Sequence, residues 1–521
     1  MNNILLLSAA DSMGLSANTK MILWVGIAIY LGVLLAIGLY SGRKVNDMKD
    51  FLVAGRRLPL WMATATLLAT WFGAGSSMGV SATVYSDGLG GVLADPLGAS
   101  FSLMLAGVFV VGLLRKKKFL TVTDIITERF GRGAGIYASL WMLPVYIGWI
   151  SAQLLGMGTI LHVITGISVF KGTMIGAIVV LIYTVSGGMW AVTLTDVVQV
   201  SLLALGLIVI MPFAVHEAGG IEKILASLSP EDLSIGPGKI THINDVTYYI
   251  GTWIIMGLGC MVGQDLIQRS LASRSAKVAV SSSVISGFLY LLIGVIPIMI
   301  GFSARTVLAK YGITTETMGG DLENQVMPRM AILILGSIHP VCMTVFLAAL
   351  ISAIMSSADS SLLAGSSLLV RNVIDNLMPS ENAKVTLQRT RIVTVVLLII
   401  ATVLAFIAKS IYALMVNCWT SQLVVVFLPV IIALYVPKAS KSTAWAVMFV
   451  STAVWLFYTF VCVCGSNLGF YELMQSDIFE RAQTCGAVYG FASGILCFIF
   501  CHFGEKITKR FVDCEDDGSE E

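Results

Sequence analysis

Between Ala353 and Ser361 the chain reads Ala-Ile-Met-Ser-Ser-Ala-Asp-Ser-Ser, inside an apolar stretch that begins near Val341. Four hydroxyls and one carboxylate stand where Leu, Ile or Val would be expected. At helical spacing Ala353, Ser356, Ser357 and Ser360 fall at i, i+3, i+4 and i+7, on one face. Asp359 borders that face. Polar groups in hydrocarbon are unfavourable unless something uses them, and a row of hard oxygens suits a small dehydrated cation. The alternative for any one serine is a hydrogen bond to the carbonyl four residues earlier, which is common in membrane helices.

Such a stripe needs a membrane around it. Of 521 residues, 57% are hydrophobic and only 12% are charged. No soluble domain of this length has that balance, so an all-α polytopic membrane protein is expected. Acidic and basic residues nearly cancel, which leaves no footprint for nucleic acid. The nine cysteines form no CxxC or CxxH ligand pattern. The first twenty residues lack the charged start and small-residue cleavage site of a signal peptide. The chain carries no Asn-x-Ser/Thr sequon, which favours a bacterial inner membrane as the plasma membrane concerned.

Hydropathy predicts about thirteen spans, centred near residues 30, 71, 105, 147, 179, 204, 256, 289, 349, 397, 423, 453 and 493. Loops after the odd-numbered spans, with the C-terminal tail, hold 23 of the 32 Lys and Arg. That total counts Arg269 as a loop residue after span seven. The bias places the N-terminus outside and the C-terminus in the cytosol.

Two spans look interrupted. The second runs Leu67-Leu68-Ala69-Thr70-Trp71-Phe72-Gly73-Ala74-Gly75-Ser76-Ser77, and the seventh carries Gly257, Gly259 and Gly263. They are five apart in the series from two to eleven. Paired broken helices mark inverted-repeat transporters, with substrate and ion at the midplane. Close packing of small residues is the alternative for either span alone. Enzyme chemistry is disfavoured. His339 precedes the stripe, His502 lies near the C-terminus, and neither an HExxH metal motif nor a GxxxxGK[ST] phosphate loop occurs.

With these features the chain resembles the sodium:solute symporters over nearly its whole length. The residues that carry the resemblance are Asp50 to Arg56, Ser186-Gly187-Gly188-Met189-Trp190, Thr195-Asp196-Val197-Val198-Gln199 and the stripe at Ser356. The resemblance implies a LeuT-type core of two inverted five-helix repeats, spans two to six and seven to eleven. These correspond to residues 60–215 and 246–436, with one leading helix, two trailing helices and a short cytosolic tail at 505–521. It implies Na+ as coupling ion, held by the carbonyls of Ala69, Phe72 and Ala353 and the hydroxyls of Ser356 and Ser357. It also implies a second cation at Asp196, Asp359 and Ser360. The bland alternative is that Asp196 caps the start of span six and Asp359 is solvated. With Asp196 and Asp359 as carriers, a proton-coupled variant is a rival, and a transporter-like sensor is another.

Within the family the wording is most like the high-affinity choline transporter branch, through Ala69-Thr70-Trp71, Gly187-Gly188 and Met355 to Ser361. This implies a small organic solute at Trp71, Gly73, Gly75, Trp149, Gln264 and Gln422. Cation–π contact at Trp71 and Trp149 would suit a quaternary amine. The chain departs from that branch at Ala99, Gly263 and Gln422, where the branch has an aromatic, a Trp and an acid. A cage with two of its walls missing leaves an amino acid such as proline open as well. Asp95 or Asp265 could supply the counter-charge.

Overall fold

The computed structural model describes residues 17–42, 52–314, 322–380, 382–408, 410–466, 468–469, 472–473 and 476–517. Asp50 and Phe51 of the family motif, and the basic residues Arg43, Lys44, Lys49 and Lys409, lie outside them. Among the described residues there is no strand, only an isolated bridge between Leu58 and Ser273. Helix is the expected outcome, because hydrocarbon offers no partner for a free backbone N–H or C=O. Nine helical runs among these residues are long and apolar enough to cross a membrane.

The leading helix α1 (Ala17–Gly42) lies against the stripe-bearing helix, where the Tyr30 hydroxyl donates to Ser352 Oγ at 2.5 Å. The second span is interrupted as expected. Helix α2 (Leu60–Trp71) ends at Phe72, whose φ and ψ of −86° and 70° leave the helical region. The chain restarts as a π-turn over Gly75–Gly79 and continues as α3 (Val80–Asp87). Two long helices follow, α4 (Arg132–Thr165) and α5 (Val169–Glu217).

The seventh span breaks in the same manner. Helix α6 (Ile243–Gly257) passes through a 3-10 turn at Gly259–Val262 and an extended Gly263 into α7 (Gln264–Ala272). Then come α8 (Ala276–Lys310), the stripe helix α9 (Pro340–Ser367), α10 (Ile411–Asn417) and the C-terminal α11 (Asp477–Asp517).

Two expectations change. Spans five and six form the single run α5 of 49 residues. At the usual rise this is about 73 Å, more than twice the hydrocarbon thickness, so α5 is not one straight crossing. The expected tail at 505–521 continues α11 as helix to Asp517.

The two broken spans meet at the basic-loop end. Leu58 N–H donates to Ala272 O at 3.1 Å and Arg274 N–H to Leu58 O at 2.9 Å. Gln268 Nε2 reaches Leu52 O at 2.8 Å, and Arg115 Nε reaches Ser273 O at 2.8 Å. These bonds close that end. Toward the opposite end lies a cavity of about 690 Å³, bordered by Thr83, Gly91, Tyr248, Tyr412 and Glu480. One end of the bundle is thus closed by hydrogen bonds, and the cavity lies toward the side away from the basic loops.

Gly73 is what lets the break of span two approach α9. A Cβ there would sit 2.4 Å from Ser357 Oγ and 2.6 Å from Gln153 Oε1. Gly257, at the end of α6, has open space around the same position. Overpacking of this kind costs about 1–3 kcal/mol. Gly73→Ala is expected to lower the thermal midpoint of the purified protein by several degrees, and Gly257→Ala to leave it nearly unchanged. Equal midpoints for the two variants would show that the close approach is not needed.

Candidate functional site

At the break the backbone gives up its regular partners. Gly73 N–H turns to Trp71 O at 3.1 Å, and Ala74 N–H donates to Gln153 Oε1 at 2.9 Å. Ala69 and Thr70 thereby lose the amides that a continuous helix would supply. Ser357 Oγ, on α9, stands 3.4 Å from the freed Ala69 carbonyl. Ser356 Oγ donates to Asp196 Oδ1 at 2.5 Å. The i−4 bonding that sequence allows for any serine is found at Ser360, to Ser356 O at 2.6 Å, and at Ser361, to Ser357 O at 2.7 Å. It is not what Ser356 and Ser357 do. Ala353 is buried one turn before them, and Phe72 is buried edge-on against Tyr290 at 5.3 Å between ring centroids.

Asp196 and Ser360 are brought together, but around an arginine. Arg269, on α7, is buried with 1% of its side chain exposed, and Asp196 is at 0%. The guanidinium Nη2 lies 3.7 Å from Asp196 Oδ2 and donates to Ser360 Oγ, while Nε donates to Thr66 Oγ1 at 3.1 Å. Thr66 in turn donates to Asp196. Asp359 turns away to accept from Thr184 of α5, and its Oδ2 is buried without a hydrogen-bond partner among the described residues. Asp359 and Asp265 still lie within the electrostatic reach of Arg269.

The assignment of Arg269 to a loop is thus corrected, because the break in span seven carries α7 inward with its basic residue. Sequence held a signal for this: Asp265 and Arg269 are i and i+4 on one helix. Asp196 likewise lies well inside α5 rather than at a helix start.

The aromatic positions form a group larger than expected. The ring centroids of Trp71 and Trp419 are 6.0 Å apart, and those of Trp149 and Trp419 are 5.2 Å apart. Trp419 was not among the sequence candidates. A Cβ on Gly263 would come within 3.4 Å of its ring, so Trp419 stands beside the position where Gly263 offers no side chain. Asp265 completes the group, accepting from Trp71 Nε1 at 2.6 Å and from Tyr146 OH at 3.2 Å. The cavity reaches Gly148 and Cys418, the chain neighbours of Trp149 and Trp419.

Other expected substrate residues play different parts. Gln264 is turned to the basic-loop end, where its Oε1 accepts from Val122 N–H at 2.8 Å and its Nε2 reaches Ser367 Oγ at 3.4 Å. Gln422 donates from Nε2 to Gly259 O at 2.8 Å and so holds the break in span seven. Gly75 is packed under Met415, whose Sδ would lie 1.8 Å from an added Cβ.

The family profile described as "Sodium:solute symporter family" matches residues 51–451. The chain belongs to the sodium:solute symporter family. It is 28% identical over 444 residues to the high-affinity choline transporter 1 of Caenorhabditis elegans, covering 80% of this chain and 74% of that protein. It is 26% identical to the sodium/pantothenate symporter of Haemophilus influenzae, covering 72% and 76%. In three dimensions it resembles a solved outward-open Na+-coupled sialic acid symporter, with a TM-score of 0.70, 19% sequence identity, and coverage of 91% and 98%. That likeness shows a LeuT-type fold. The protein is therefore a multi-pass membrane transporter that couples solute import to Na+, and not an enzyme.

Removing one partner of a buried ion pair leaves the other charge uncompensated, at about 3–5 kcal/mol. Arg269→Ala is expected to lower the thermal midpoint sharply, and the double variant with Asp196→Asn to recover part of the loss. A midpoint unchanged in Arg269→Ala would show that the pair does not hold these helices together.

Proposed function

We propose that this symporter imports a small organic amine with a choline-like alkylated ammonium, together with Na+. The group of Trp71, Trp149 and Trp419 beside the Asp265 carboxylate supports this reading. On this reading the indole faces receive a desolvated cation, and the carboxylate balances its charge. The choline-transporter relatives agree with it. An amino acid such as proline would place its ammonium at the same carboxylate.

On this reading Na+ binds between the two spans that meet at the break. The carbonyls of Ala69, Phe72 and Ala353 and the hydroxyls of Ser356 and Ser357 are its ligands. At Asp196 and Ser360 the guanidinium of Arg269 takes the part of a second cation, which makes that position a tethered charge rather than an ion site. The repeats at 60–215 and 246–436 rock against each other, with the basic loops on the cytosolic side of the plasma membrane. The membrane potential adds about 2.3 kcal/mol per charge per 100 mV to inward movement. A proton-coupled cycle is the second reading, favoured by Asp359, whose Oδ2 is buried without a hydrogen-bond partner among the described residues.

The test is uptake into vesicles reconstituted with the full chain. An inward Na+ gradient should drive accumulation of labelled choline, with betaine and proline as competitors. The Ser356→Ala, Ser357→Ala double variant should abolish it. Trp419→Leu should raise KM about thirtyfold, since a desolvated cation–π contact is worth about 2 kcal/mol. Accumulation untouched by the double serine variant would sink the Na+ assignment. Uptake driven equally by a pH gradient without Na+ would favour the proton reading.

A further inference from the structure

The aromatic group beside the break holds more hydrogen-bond donors than the protein uses. Of its three indoles, Trp71 alone has a partner for its N–H among the described residues, the Asp265 carboxylate at 2.6 Å. Trp149 Nε1 and Trp419 Nε1 are buried without a hydrogen-bond partner among those residues. Each of these two side chains is only 2% exposed. Gln153 Nε2 is a third such donor, on a side chain at 0% exposure. The orientation of its amide is fixed, because Oε1 accepts from Ala74 N–H at 2.9 Å. Trp149 and Gln153 are i and i+4 on α4 and so share one face. On that face Trp149 meets the Trp419 ring at 5.2 Å, and Gln153 meets the break of span two at Ala74.

A buried donor without an acceptor is unfavourable, and three in one neighbourhood call for a ligand. Contact with a facing ring gives an indole N–H only a weak partner. The two indoles carry no acceptor at all, and the Gln153 oxygen is already engaged. The unpartnered acceptor Gln422 Oε1 belongs to the break in span seven, where its amide is held at Gly259 O. The three donors therefore suit a ligand oxygen that has no hydrogen of its own. A hydroxyl brings a proton that needs an acceptor, whereas a carboxylate brings only lone pairs, enough for all three. The opposite polarity stands at Asp265, which accepts from Tyr146 OH at 3.2 Å. Tyr146, Trp149 and Gln153 follow one another along α4. From Tyr146 to Gln153 is two turns, about 10 Å along the axis. That interval fits a ligand with a cation at one end and an oxygen anion at the other.

We propose that the substrate is a zwitterion, with an alkylated ammonium at Asp265 and a carboxylate held by the N–H groups of Trp149, Trp419 and Gln153. This rests on the reading that an alkylated amine is carried, and it selects a betaine over choline itself. The ammonium is balanced by Asp265, and the carboxylate is met by hydrogen bonds strengthened by its own charge. Such a ligand has no net charge, so the membrane potential acts on the cycle through Na+ rather than through the solute. It also joins three separate elements: α4, the turn after α10 that carries Trp419, and, through Gln153, the unwound part of span two.

The test uses the purified full-length protein in NaCl, titrated with betaine, choline and propyltrimethylammonium, the last of which carries no oxygen. Binding is read from the ligand-dependent rise in thermal midpoint. Betaine should bind tightest and propyltrimethylammonium about tenfold or more weaker, the factor expected for a lost hydrogen bond to a charged group. Choline should fall between them. Trp149→Phe and Trp419→Phe keep a ring and remove one N–H, so each should reduce the preference for betaine over propyltrimethylammonium severalfold. Gln153→Glu keeps an acceptor for Ala74 N–H but puts an oxygen where the donor was, and should reduce that preference most. A side chain that only packs would weaken both ligands alike and leave their ratio unchanged. If Gln153→Glu does not fold, the two Trp→Phe variants carry the test. Choline or propyltrimethylammonium binding as tightly as betaine, or a betaine preference untouched by the variants, would overturn the zwitterion and leave the amine reading standing. No response to any of the three ligands would overturn both.

Discussion

Everything at the centre of this protein depends on an interruption of the backbone where hydrocarbon forbids one. A helix that stops inside a bilayer exposes amides and carbonyls, and each must find a partner. Beyond Phe72 the freed amides of Gly73 and Ala74 are met by Trp71 O and Gln153 Oε1. The Ala69 carbonyl faces Ser357, and that of Trp71 faces Ser76 and Tyr290. Gly73 permits the approach because no side chain stands between the break and α9. The break in span seven is held by Gln422 at Gly259. Unwinding thus creates both the ligand positions and the demand for ligands.

The buried charges divide by how each is balanced. Asp196 has Arg269, delivered from the far side by α7. Asp265 has the indole N–H of Trp71 and the hydroxyl of Tyr146, both neutral donors. Asp95 has hydroxyls only. A low-dielectric interior makes each arrangement consequential. A built-in guanidinium is always present, whereas an ion or an ammonium comes and goes with the transport cycle. The cluster at Arg269 is therefore suited to structure.

Much of this was legible in the chain. The hydroxyl stripe stood out because Ser356, Ser357 and Ser360 share a helix face in apolar surroundings. The glycines at 73 and 75, and at 257, 259 and 263, marked the breaks. Trp71 and Trp149 were visible as aromatic candidates. Trp419 was not, because its role arises from standing beside Gly263, and nothing in sequence relates positions so far apart. Arg269 was misplaced for a related reason. A basic residue after an apolar run reads as a loop, and only the inward course of α7 carries it to Asp196. Gln264 was read as a substrate residue, yet it closes the basic-loop end, because one helical step beside Asp265 points it elsewhere.

By itself the sequence determined the membrane, the helices, the places where two of them break and the chemical character of the ligands. Those are local properties: hydropathy over a span, glycine at a turn, hydroxyls on one face. Tertiary structure alone decided which oxygens stand together at the break, which carboxylate faces a buried arginine and which aromatic ring stands beside Gly263. Those outcomes depend on distances between side chains on different helices. Packing sets such distances, and packing is decided only when the whole bundle closes around the broken spans.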